Sequence, residues 1–340
     1  MSQRVVLVGC GGISDGWLKA IDQMHDLELV ALVDLDEQQA RSKAESYNPN
    51  AVIKTDVTRA IEKSGADLVF DCTTPGAHAT VDTQALEAGC DVLCEKPLAS
   101  TLSDARRVID TARRVGKTHA VMQNRRYNPS IRAYRKLIAD GSIGTLATLN
   151  ADFYLGAHFG GFRAEMEHVL LLDMAIHTFD AARFLSGGKP RRISCTEWNP
   201  EGSWFAHGAS AVATVEMDNG VRFSYRGSWA SEGCATSWES NCRAIGTKGT
   251  ALWDGGEGIT GEVVTGEDGF MRPTHPLDPP GRVELPFDGH AGCIRAFVDA
   301  LDAGRQPETA SKENYYSLAM SLGAIESADN NTTVTIEELS

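Results

Sequence analysis

Three ionisable residues interrupt an otherwise apolar segment, HVLLLDMAIHTFDAARFL, at residues 168–185. At 100° per residue, Asp173, His177 and Asp180 fall within about 60° of one another around a helix axis. A helix that is hydrophobic on every side is normally buried, and buried ionisable groups are costly unless they are paired or used. The i, i+4 spacing lets Asp173 and His177 reach one hydroxyl group, from which an imidazole can accept a proton near neutral pH.

The carboxylate of Asp173 would raise the basicity of this imidazole or fix its orientation. The alternative is a salt-bridged Asp–His pair on a partly exposed helix, which the apolar remainder of the segment disfavours. Asp180 is either a second substrate contact or a partner of a cation such as Arg183, and we favour the structural interpretation. We therefore predict Asp173 and His177 as an acid–base pair.

A lysine with chemical potential lies in the segment CEKPL, residues 94–98. A lysine before a proline is usually a solvated loop residue. Here it follows a predicted buried strand, and ligands of open α/β sheets bind at the carboxyl ends of such strands. The Lys96 ammonium would stabilise negative charge that develops on a substrate oxygen.

The first 125 residues alternate short β-branched runs with helical patterns. Continuous apolar runs are typical of parallel strands that are buried on both faces, and strand–helix alternation predicts a doubly wound, Rossmann-type α/β sheet. Helices are predicted at 14–25, 36–47, 78–89 and 101–115. The predicted strands are 4–9, 28–34, 51–54, 67–72, 91–95 and 118–123.

Residues 126–340 have a different pattern, with many strand-like runs separated by turns. Asn219-Gly220 between two apolar runs predicts a hairpin, and helical patterns occupy 129–140, 289–303 and 311–328. We predict an α+β domain with an open, mostly antiparallel sheet, in addition to the helix described above. Its predicted strands are 145–154, 191–198, 208–217, 221–229, 242–246, 250–254 and 261–265.

A glycine cluster, VLVGCGGISDGW, follows the first predicted strand and precedes a helix. Gly9 would allow the tight turn, Gly11 would let the backbone approach a pyrophosphate, and the helix N-terminus would attract that anion. Ser14 occupies the position of the usual third glycine and is small enough for close packing. The alternative is a strand–helix turn that binds no ligand.

Asp34 ends the second predicted strand, about 20 residues after the glycines, where a carboxylate can bind the ribose hydroxyls of adenosine. Asp36 adds negative charge, and no arginine adjoins Asp34 to accept a 2′-phosphate. The sequence therefore favours NAD over NADP, although Arg41 lies one or two helical turns further along.

The composition limits the function classes. The formal charge of −14 disfavours nucleic acid and anionic membrane surfaces as partners, and no run approaches the ~20 apolar residues of a membrane span. The start of the chain does not read as a signal peptide. The eight cysteines lack a zinc-type spacing, so we expect structural thiols, no metal and a reducing, cytoplasmic setting.

Together these segments resemble the glucose–fructose oxidoreductase, inositol 2-dehydrogenase and rhizopine-catabolism (Gfo/Idh/MocA) family over the whole chain. The resemblance rests on VGCGGIS, Asp34, TTPGAH at 73–78, EKP at 95–97, NRRYNP at 124–129 and LDMAIHTFD at 172–180. It implies a nicotinamide cofactor, a sugar or polyol substrate, and an NAD-binding domain at 1–125 followed by a substrate-binding and oligomerisation domain at 126–340. It assigns catalysis to Lys96, Asp173 and His177, and cofactor binding to Gly9, Gly11, Gly12, Ile13, Ser14, Asp34, Thr73, Thr74, Pro75, His78, Glu95, Lys96, Pro97 and Asn124.

The chain departs from the family pattern at Ser14, at Gly76 where an asparagine is common, and at Leu170 and Leu171 where glycines are common. The first two departures concern cofactor binding, and the third concerns the entry to the helix. Substrate contacts are predicted for Arg125, Arg126, Tyr154, His158 and Trp229, with an ion pair as the alternative for at least one arginine and core packing as the alternative for most tryptophans.

We expect a homodimer or homotetramer, because an open sheet with helices on one face leaves the other face uncovered and strands 208–217 and 221–229 carry apolar residues. The predicted function is an NAD-dependent dehydrogenase of a sugar, inositol or related polyol. Two alternatives are a glycoside-cleaving enzyme that uses transient oxidation and a non-catalytic NAD-binding sensor, and retention of Lys96, Asp173 and His177 disfavours the sensor.

Overall fold

The computed structural model describes residues 2–339 of the chain. Its N-terminal region forms a six-stranded sheet in the order β3-β2-β1-β4-β5-β6, in which the neighbouring strands are parallel. The order reverses between β1 and β4, which is where doubly wound sheets bind ligands. All six predicted strands are confirmed, at β1 Gln3–Val8, β2 Leu27–Val33, β3 Val52–Lys54, β4 Leu68–Asp71, β5 Asp91–Cys94 and β6 His119–Val121.

The crossover helices of this sheet agree with the four predicted helical patterns, and one more helix, α3, was not predicted. Side chains cap three of them: Asp36 accepts from Gln38 N at the start of α2, and Asp56 and Thr101 cap α3 and α5 in the same way. Such caps satisfy amide groups that lack a partner within the helix. The helices are α1 Ser14–Asp22, α2 Glu37–Tyr47, α3 Val57–Ser64, α4 Pro75–Glu87 and α5 Leu102–Val115.

The second sheet has nine strands in the order β14-β13-β12-β11-β7-β10-β9-β8-β15. Strands β7 and β10 are parallel, and the other neighbours are antiparallel. The seven predicted strands and the hairpin at Asn219-Gly220 are confirmed, and Gly220 has a φ of +89°. The strands are β7 Leu146–Tyr154, β8 Pro190–Trp198, β9 Ser210–Met217, β10 Arg222–Ser228, β11 Asn241–Gly246, β12 Gly249–Trp253, β13 Ile259–Val264, β14 Thr274–Pro276 and β15 Val334–Thr335.

The two faces of the second sheet differ in polarity. The apolar residues of β10, Phe223 and Tyr225, are buried, whereas Arg226 on the opposite face is exposed and pairs with Asp152 at 2.6 and 2.7 Å. Strand β9 alternates in the same way. The expectation that apolar residues of these strands leave the open face in need of a cover is therefore wrong for most of them, because they point into the core.

The remaining helices are α6 Pro129–Ala139, α7 Ile176–Ser186, α8 Gly289–Asp302 and α9 Ser311–Asn330. The chain divides into two compact units: Met1–Tyr127 with Pro286–Leu318, and Asn128–Leu285 with Ala319–Ser340. The first unit therefore includes α8, which the single predicted boundary after residue 125 assigned to the second domain. The division falls within α9, after Leu318.

Helix α8 joins the first unit because it completes that unit's hydrophobic core. Ile294, Phe297 and Val298 are buried in one cluster with residues of β1, α1 and β4. The ring centres of Phe70 and Phe297 are 6.5 Å apart. Because α8 packs against residues that are distant in sequence, hydrophobic periodicity predicts the helix but not the unit to which it belongs.

Candidate functional site

The glycine loop of the first unit has the shape that a pyrophosphate requires. Gly9 has a φ of +85°, and a Cβ there would lie 2.7 Å from the backbone carbonyl of Cys72, so a side chain would collide with the loop that follows β4. At Gly11 and Gly12, by contrast, a Cβ would meet nothing within 4 Å. The Cys72 backbone thus packs against the loop at Gly9, whereas the space next to Gly11 and Gly12 is open. This leaves room for an anion at the start of α1.

The hydrogen bonds of this loop leave donors for that anion. Ser14 is buried, and its Oγ donates to Gly11 O at 2.6 Å, so it stabilises the turn as well as filling the third glycine position. Among residues 2–339, no protein acceptor is assigned to the amide N–H groups of Gly11, Gly12 and Ile13. Three consecutive amide donors fit a bound phosphate group.

Asp34 is fixed beside the glycine loop by two backbone donors. Its Oδ2 accepts from Cys10 N at 2.7 Å, and its Oδ1 accepts from Asp36 N at 2.9 Å. The next side chain, Leu35, is 92% exposed, which is unusual for a leucine and provides an apolar surface on which a planar base can pack. Arg41 pairs with Glu37 at 3.1 Å, so its charge is partly compensated.

The loop after β4 is held from beneath by two buried side chains. Asp71 Oδ1 accepts from Thr73 N at 2.8 Å, and His78 Nε2 lies 3.0 Å from Thr73 O. The other ring nitrogen of His78, Nδ1, lies 2.8 Å from Pro97 O, so one imidazole joins the TTPGAH and EKP segments. His78 has no exposed surface; unlike Thr73, Thr74 and Pro75, it is therefore placed to shape the predicted cofactor loops rather than to contact a ligand.

Glu95 is enclosed by partners that the sequence analysis did not identify. Its Oε1 accepts from Trp17 Nε1 at 2.9 Å and lies 3.6 Å from His290 Nε2, while Oε2 accepts from Lys96 N at 2.9 Å. Burial raises the pKa of this carboxyl, but hydrogen bonds from His290 and Trp17 and the positive charge of Lys96 outweigh burial, so the pKa lies below its usual value. Glu95 therefore acts as a buried carboxylate that fixes the backbone at Lys96.

Asn124 lies near the same group, with its Nδ2 3.5 Å from His290 Nδ1. His290 is on α8 and Trp17 is on α1, so residues more than 270 positions apart in the sequence meet around Glu95. No local pattern marks either residue, and only their meeting in the fold reveals the role.

A second buried network lies below these loops. Asp82 Oδ2 is 2.9 Å from His119 Nε2, and both side chains are fully buried. Burial and the neighbouring charge of Asp82 raise the pKa of Asp71 well above its usual range. His78 and Cys94 also approach Asp71, but both nitrogens of His78 face carbonyl oxygens and burial raises the pKa of the Cys94 thiol. In the Asp71, His78 and Cys94 group, both ring nitrogens of His78 therefore already have protein partners.

In the second unit, the predicted helix at 168–185 starts with an irregular turn. Residues Leu170–Ala175 form a π-helical turn that continues into α7. Asp173 lies in the π turn and His177 in the first turn of α7, so the regular 100° spacing used to predict their common face does not hold throughout. Single π turns occur frequently at functional positions.

The start of this helix is anchored to the sheet. His168, just before the π turn, has a φ of +50°, and its Nδ1 lies 2.5 Å from Glu197 Oε2 on β8. Burial raises the pKa of Glu197, and His168 opposes that effect. The contact holds the segment that enters the π turn.

Asp173 and His177 are partly exposed, whereas their neighbours Met174, Ile176 and Phe179 are buried. The Asp173 carboxylate accepts a 2.6 Å hydrogen bond from Arg163 Nε, a residue that the sequence analysis did not identify. Asp180 is buried 4.0 Å from Arg183 Nη1, in agreement with the structural interpretation.

The predicted substrate residues have diverse surroundings. Trp229 is buried against Phe159 and Phe205, which is the core-packing alternative. His158 is exposed, stacks on Trp204 with ring centres 3.7 Å apart and lies 3.0 Å from Glu232 Oε1.

Tyr154 ends β7, and its backbone N–H and C=O bond to Thr236. In the first unit, Arg125 is half-buried, and the buried Arg126 makes two 3.2 Å contacts with Glu313. Arg126 thus follows the ion-pair alternative.

Comparisons with known proteins match both units. A family model described as the oxidoreductase family, NAD-binding Rossmann fold, matches residues 3–123, and the GFO/IDH/MocA C-terminal domain model matches residues 131–252. The D-apiose dehydrogenase of Paraburkholderia graminis is 26% identical over 98% of this chain and 89% of that protein. The inositol 2-dehydrogenase of Rhizobium meliloti is 27% identical over 99% of this chain and 100% of that protein.

Among solved structures, an oxidoreductase from Agrobacterium radiobacter in complex with NAD+, L-tartaric acid and magnesium has a TM-score of 0.85 to this chain. The two are 22% identical, and the match covers 99% of each chain. At this identity the likeness establishes the fold: a parallel Rossmann sheet followed by a mostly antiparallel sheet. No helix of residues 2–339 has the length and apolar character needed to cross a membrane.

Proposed function

This chain belongs to the Gfo/Idh/MocA family of oxidoreductases, and from that premise we propose that it transfers a hydride between a nicotinamide cofactor and a hydroxyl-bearing carbon of a sugar, inositol or related polyol. The relatives named above are dehydrogenases of such compounds. The observation that carries the proposal is the glycine loop, which is closed below by the Cys72 backbone, open above Gly11 and Gly12, and bordered by Asp34.

We propose NAD rather than NADP as the preferred cofactor. Asp34 would accept hydrogen bonds from the two adenosine ribose hydroxyls, and it would repel a 2′-phosphate together with Asp36. Gly11, Gly12 and Ile13 would donate to the pyrophosphate. When bound, the oxidised nicotinamide supplies the acceptor for a hydride.

The chain's own residues would manage the proton and the charge. We propose that His177 accepts the hydroxyl proton as the carbon–hydrogen bond breaks and its electron pair leaves as hydride, so that a ketone or lactone forms. Lys96 would stabilise the partial negative charge on the oxygen, and Glu95 holds the backbone at Lys96 in place. Asp173 would orient His177 and favour its protonated form.

Two further proposals concern the setting of the protein. Seven of the eight free cysteines are buried as thiols, which is consistent with a reducing cytoplasm. A homodimer or homotetramer would cover the outer face of the second sheet, where Val212 and Leu252 are the exposed large apolar side chains of β9 and β12. Light scattering at micromolar concentration tests this, and the chain mass of 36.6 kDa alone would exclude a stable oligomer.

The decisive experiment incubates the protein with NAD or NADP and a panel of inositols, pentoses, hexoses and their glycosides. Absorbance of the reduced cofactor reports net oxidation. Accumulation of NADH in proportion to the oxidised product supports the proposal. Cofactor binding without turnover of any compound in the panel, in either direction, contradicts it.

A further inference from the structure

Arg163 is held in an unusual position next to the proposed acid–base pair. It ends the short 3₁₀ turn Gly161–Arg163, and its Nε donates to Asp173 Oδ2 at 2.6 Å. Its guanidinium carbon lies 4.7 Å from the ring centre of Phe162 and 5.3 Å from that of Phe159. A carboxylate and two aromatic faces therefore fix the plane of this guanidinium.

The outer edge of the same guanidinium remains available. The Arg163 side chain is 34% exposed, and among residues 2–339 no protein acceptor is assigned to its two Nη groups. Because the guanidinium is planar and rigid, these groups lie within about 5 Å of the Asp173 carboxylate. A donor fork with a fixed plane is thus directed away from Asp173 but adjacent to it.

Two parallel N–H groups on a planar fork match the two oxygens of a carboxylate. A phosphate monoester would offer a similar pair of oxygens, but its second charge would be repelled more strongly by Asp173 at this distance. A neutral diol would gain only ordinary hydrogen bonds from the same fork. The chemistry of the site therefore favours a singly charged, planar anion.

We infer that Arg163 binds a carboxylate of the substrate, so that the substrate class is a sugar acid or polyhydroxy acid whose oxidised hydroxyl lies a few bonds from its carboxylate. This inference rests on the proposed function for the identity of the reaction. The exposed rings of Phe159, Phe162 and Trp238 lie around the guanidinium or next to one another, with Phe159 and Trp238 at 6.2 Å. They provide apolar surface for the carbon skeleton that carries the acid.

The test compares matched pairs of compounds that differ in one carboxylate, such as a hexose with its uronic acid and a polyol with its aldonic acid, together with a hexose phosphate. In the unchanged protein we expect kcat/KM to be at least tenfold higher for the acid of a pair. Arg163→Gln should lower the acid-to-neutral ratio of kcat/KM by about 10- to 100-fold. Arg163→Lys, which keeps the charge but loses the fork, should lower it less.

The ratio separates recognition from a structural role. If Arg163 served only to hold Asp173, both members of each pair would lose activity equally and the ratio would stay constant, which would overturn the inference. Arg282→Gln removes an exposed arginine that lies 3.9 Å from Glu257 and should leave the ratio unchanged. A preference for the hexose phosphate that disappears in Arg163→Gln would show that the fork binds an oxyanion but that the carboxylate assignment is wrong.

Calorimetric titration with the sugar acids keeps this result distinct from the proposed function. If no compound is oxidised, the proposed function fails, whereas the titration still decides whether Arg163 binds the carboxylate. Binding by the unchanged protein that Arg163→Gln weakens at least tenfold supports the inference. Equal binding by the two proteins, or no binding by either, overturns it.

Discussion

The surroundings of Glu95 and of Asp173 differ, although each carboxylate adjoins a proposed catalytic group. Glu95 is buried, accepts from Trp17 and the Lys96 backbone, and lies near His290. Asp173 is partly exposed and accepts a hydrogen bond from Arg163, whose side chain is 34% exposed. Both carboxylate oxygens of Glu95 thus have protein partners, whereas Arg163, the partner of Asp173, has exposed surface that a ligand can contact. If the proposed roles hold, we expect the cofactor site to be formed before the ligand binds and the substrate to be selected through contacts that it can exchange with Arg163.

The largest effect is expected from a change in the partly exposed pair Asp173 and His177. His177→Ala should lower kcat by about 10²–10⁴, because the substrate proton loses its acceptor. NAD affinity, measured by calorimetric titration, should change little, since His177 lies outside the unit that holds the glycine loop. His207→Ala, which removes an exposed histidine of the same unit, is the matched control. Near-normal turnover in His177→Ala would mean that the Asp–His stripe is structural.

The next largest effect is expected in the glycine loop of the first unit, where substitutions of Gly9 and Gly11 should have different consequences. Gly9→Ala should destabilise the protein by about 1–3 kcal/mol, because the residue has positive φ and the new Cβ meets the Cys72 backbone. Gly11→Ala should leave the denaturation midpoint close to its original value and still weaken NAD binding, since its Cβ enters the open space above the loop. Equal stability losses in the two variants would contradict this account of the loop.

Replacement of Asp34 should have a smaller effect, confined to the cofactor. Asp34→Ala should lower kcat/KM for NAD by about 10- to 100-fold through loss of charged hydrogen bonds and should reduce the preference over NADP. Steady-state kinetics with both cofactors at a fixed substrate concentration measure this. Glu37→Ala, which releases the nearby Arg41, is an informative companion because it should favour NADP while leaving Asp34 intact. Equal kcat/KM for NAD and NADP in the unchanged protein would count against Asp34.

The smallest effect concerns how the free energy of unfolding depends on pH through Glu95. Contacts lower the pKa of Glu95 below its usual 4.5, so the ionised group stabilises the fold above that pH, and the contribution disappears as pH falls through the folded pKa. Glu95→Gln should therefore cost about 1–3 kcal/mol at pH 7 and less at pH 4. Urea denaturation across this range provides the measurement.

Asp71 is a suitable control because its pKa is shifted in the opposite direction to that of Glu95. Its pKa is raised well above the usual 3.8, so its contribution is complete below the unfolded pKa and is lost as pH rises through the folded pKa. Asp71→Asn cannot ionise and should flatten the decline in stability at higher pH. A parallel response of Glu95→Gln and Asp71→Asn to pH would contradict the opposite directions of the two pKa shifts.

The features that local sequence could predict are those with local causes. The apolar runs of the six parallel strands follow from burial on both faces, and the glycine loop and Asp34 follow from their spacing after β1. Trp17 and His290 could not be predicted, because their role depends on meeting Glu95 in space. His78 was predicted to touch the cofactor but is buried between two loops, since a motif identifies a position without its exposure.

The helix with Asp173 and His177 was predicted only in part. Its apolar content correctly predicts burial; of the three ionisable residues, Asp173 and His177 are partly exposed and Asp180 is buried. The π turn at Leu170–Ala175 has no distinctive composition, so a regular helix was the natural expectation. Arg163 carries no periodic signal either, and its importance depends on the loop that returns it to Asp173.

The contribution of α8 to the first unit has a consequence for how the protein is made. Ile294 and Phe297 belong to the same core cluster as Val5, Leu7 and Trp17, so a nascent chain that has emerged only as far as Tyr127 lacks part of that core. The core of the first unit can therefore be completed only after residues 128–285 and α8 have been synthesised. A fragment ending at residue 127 would contain the sequence of the glycine loop but leave apolar surface of β1, α1 and β4 uncovered, and exposed surface of this kind promotes aggregation.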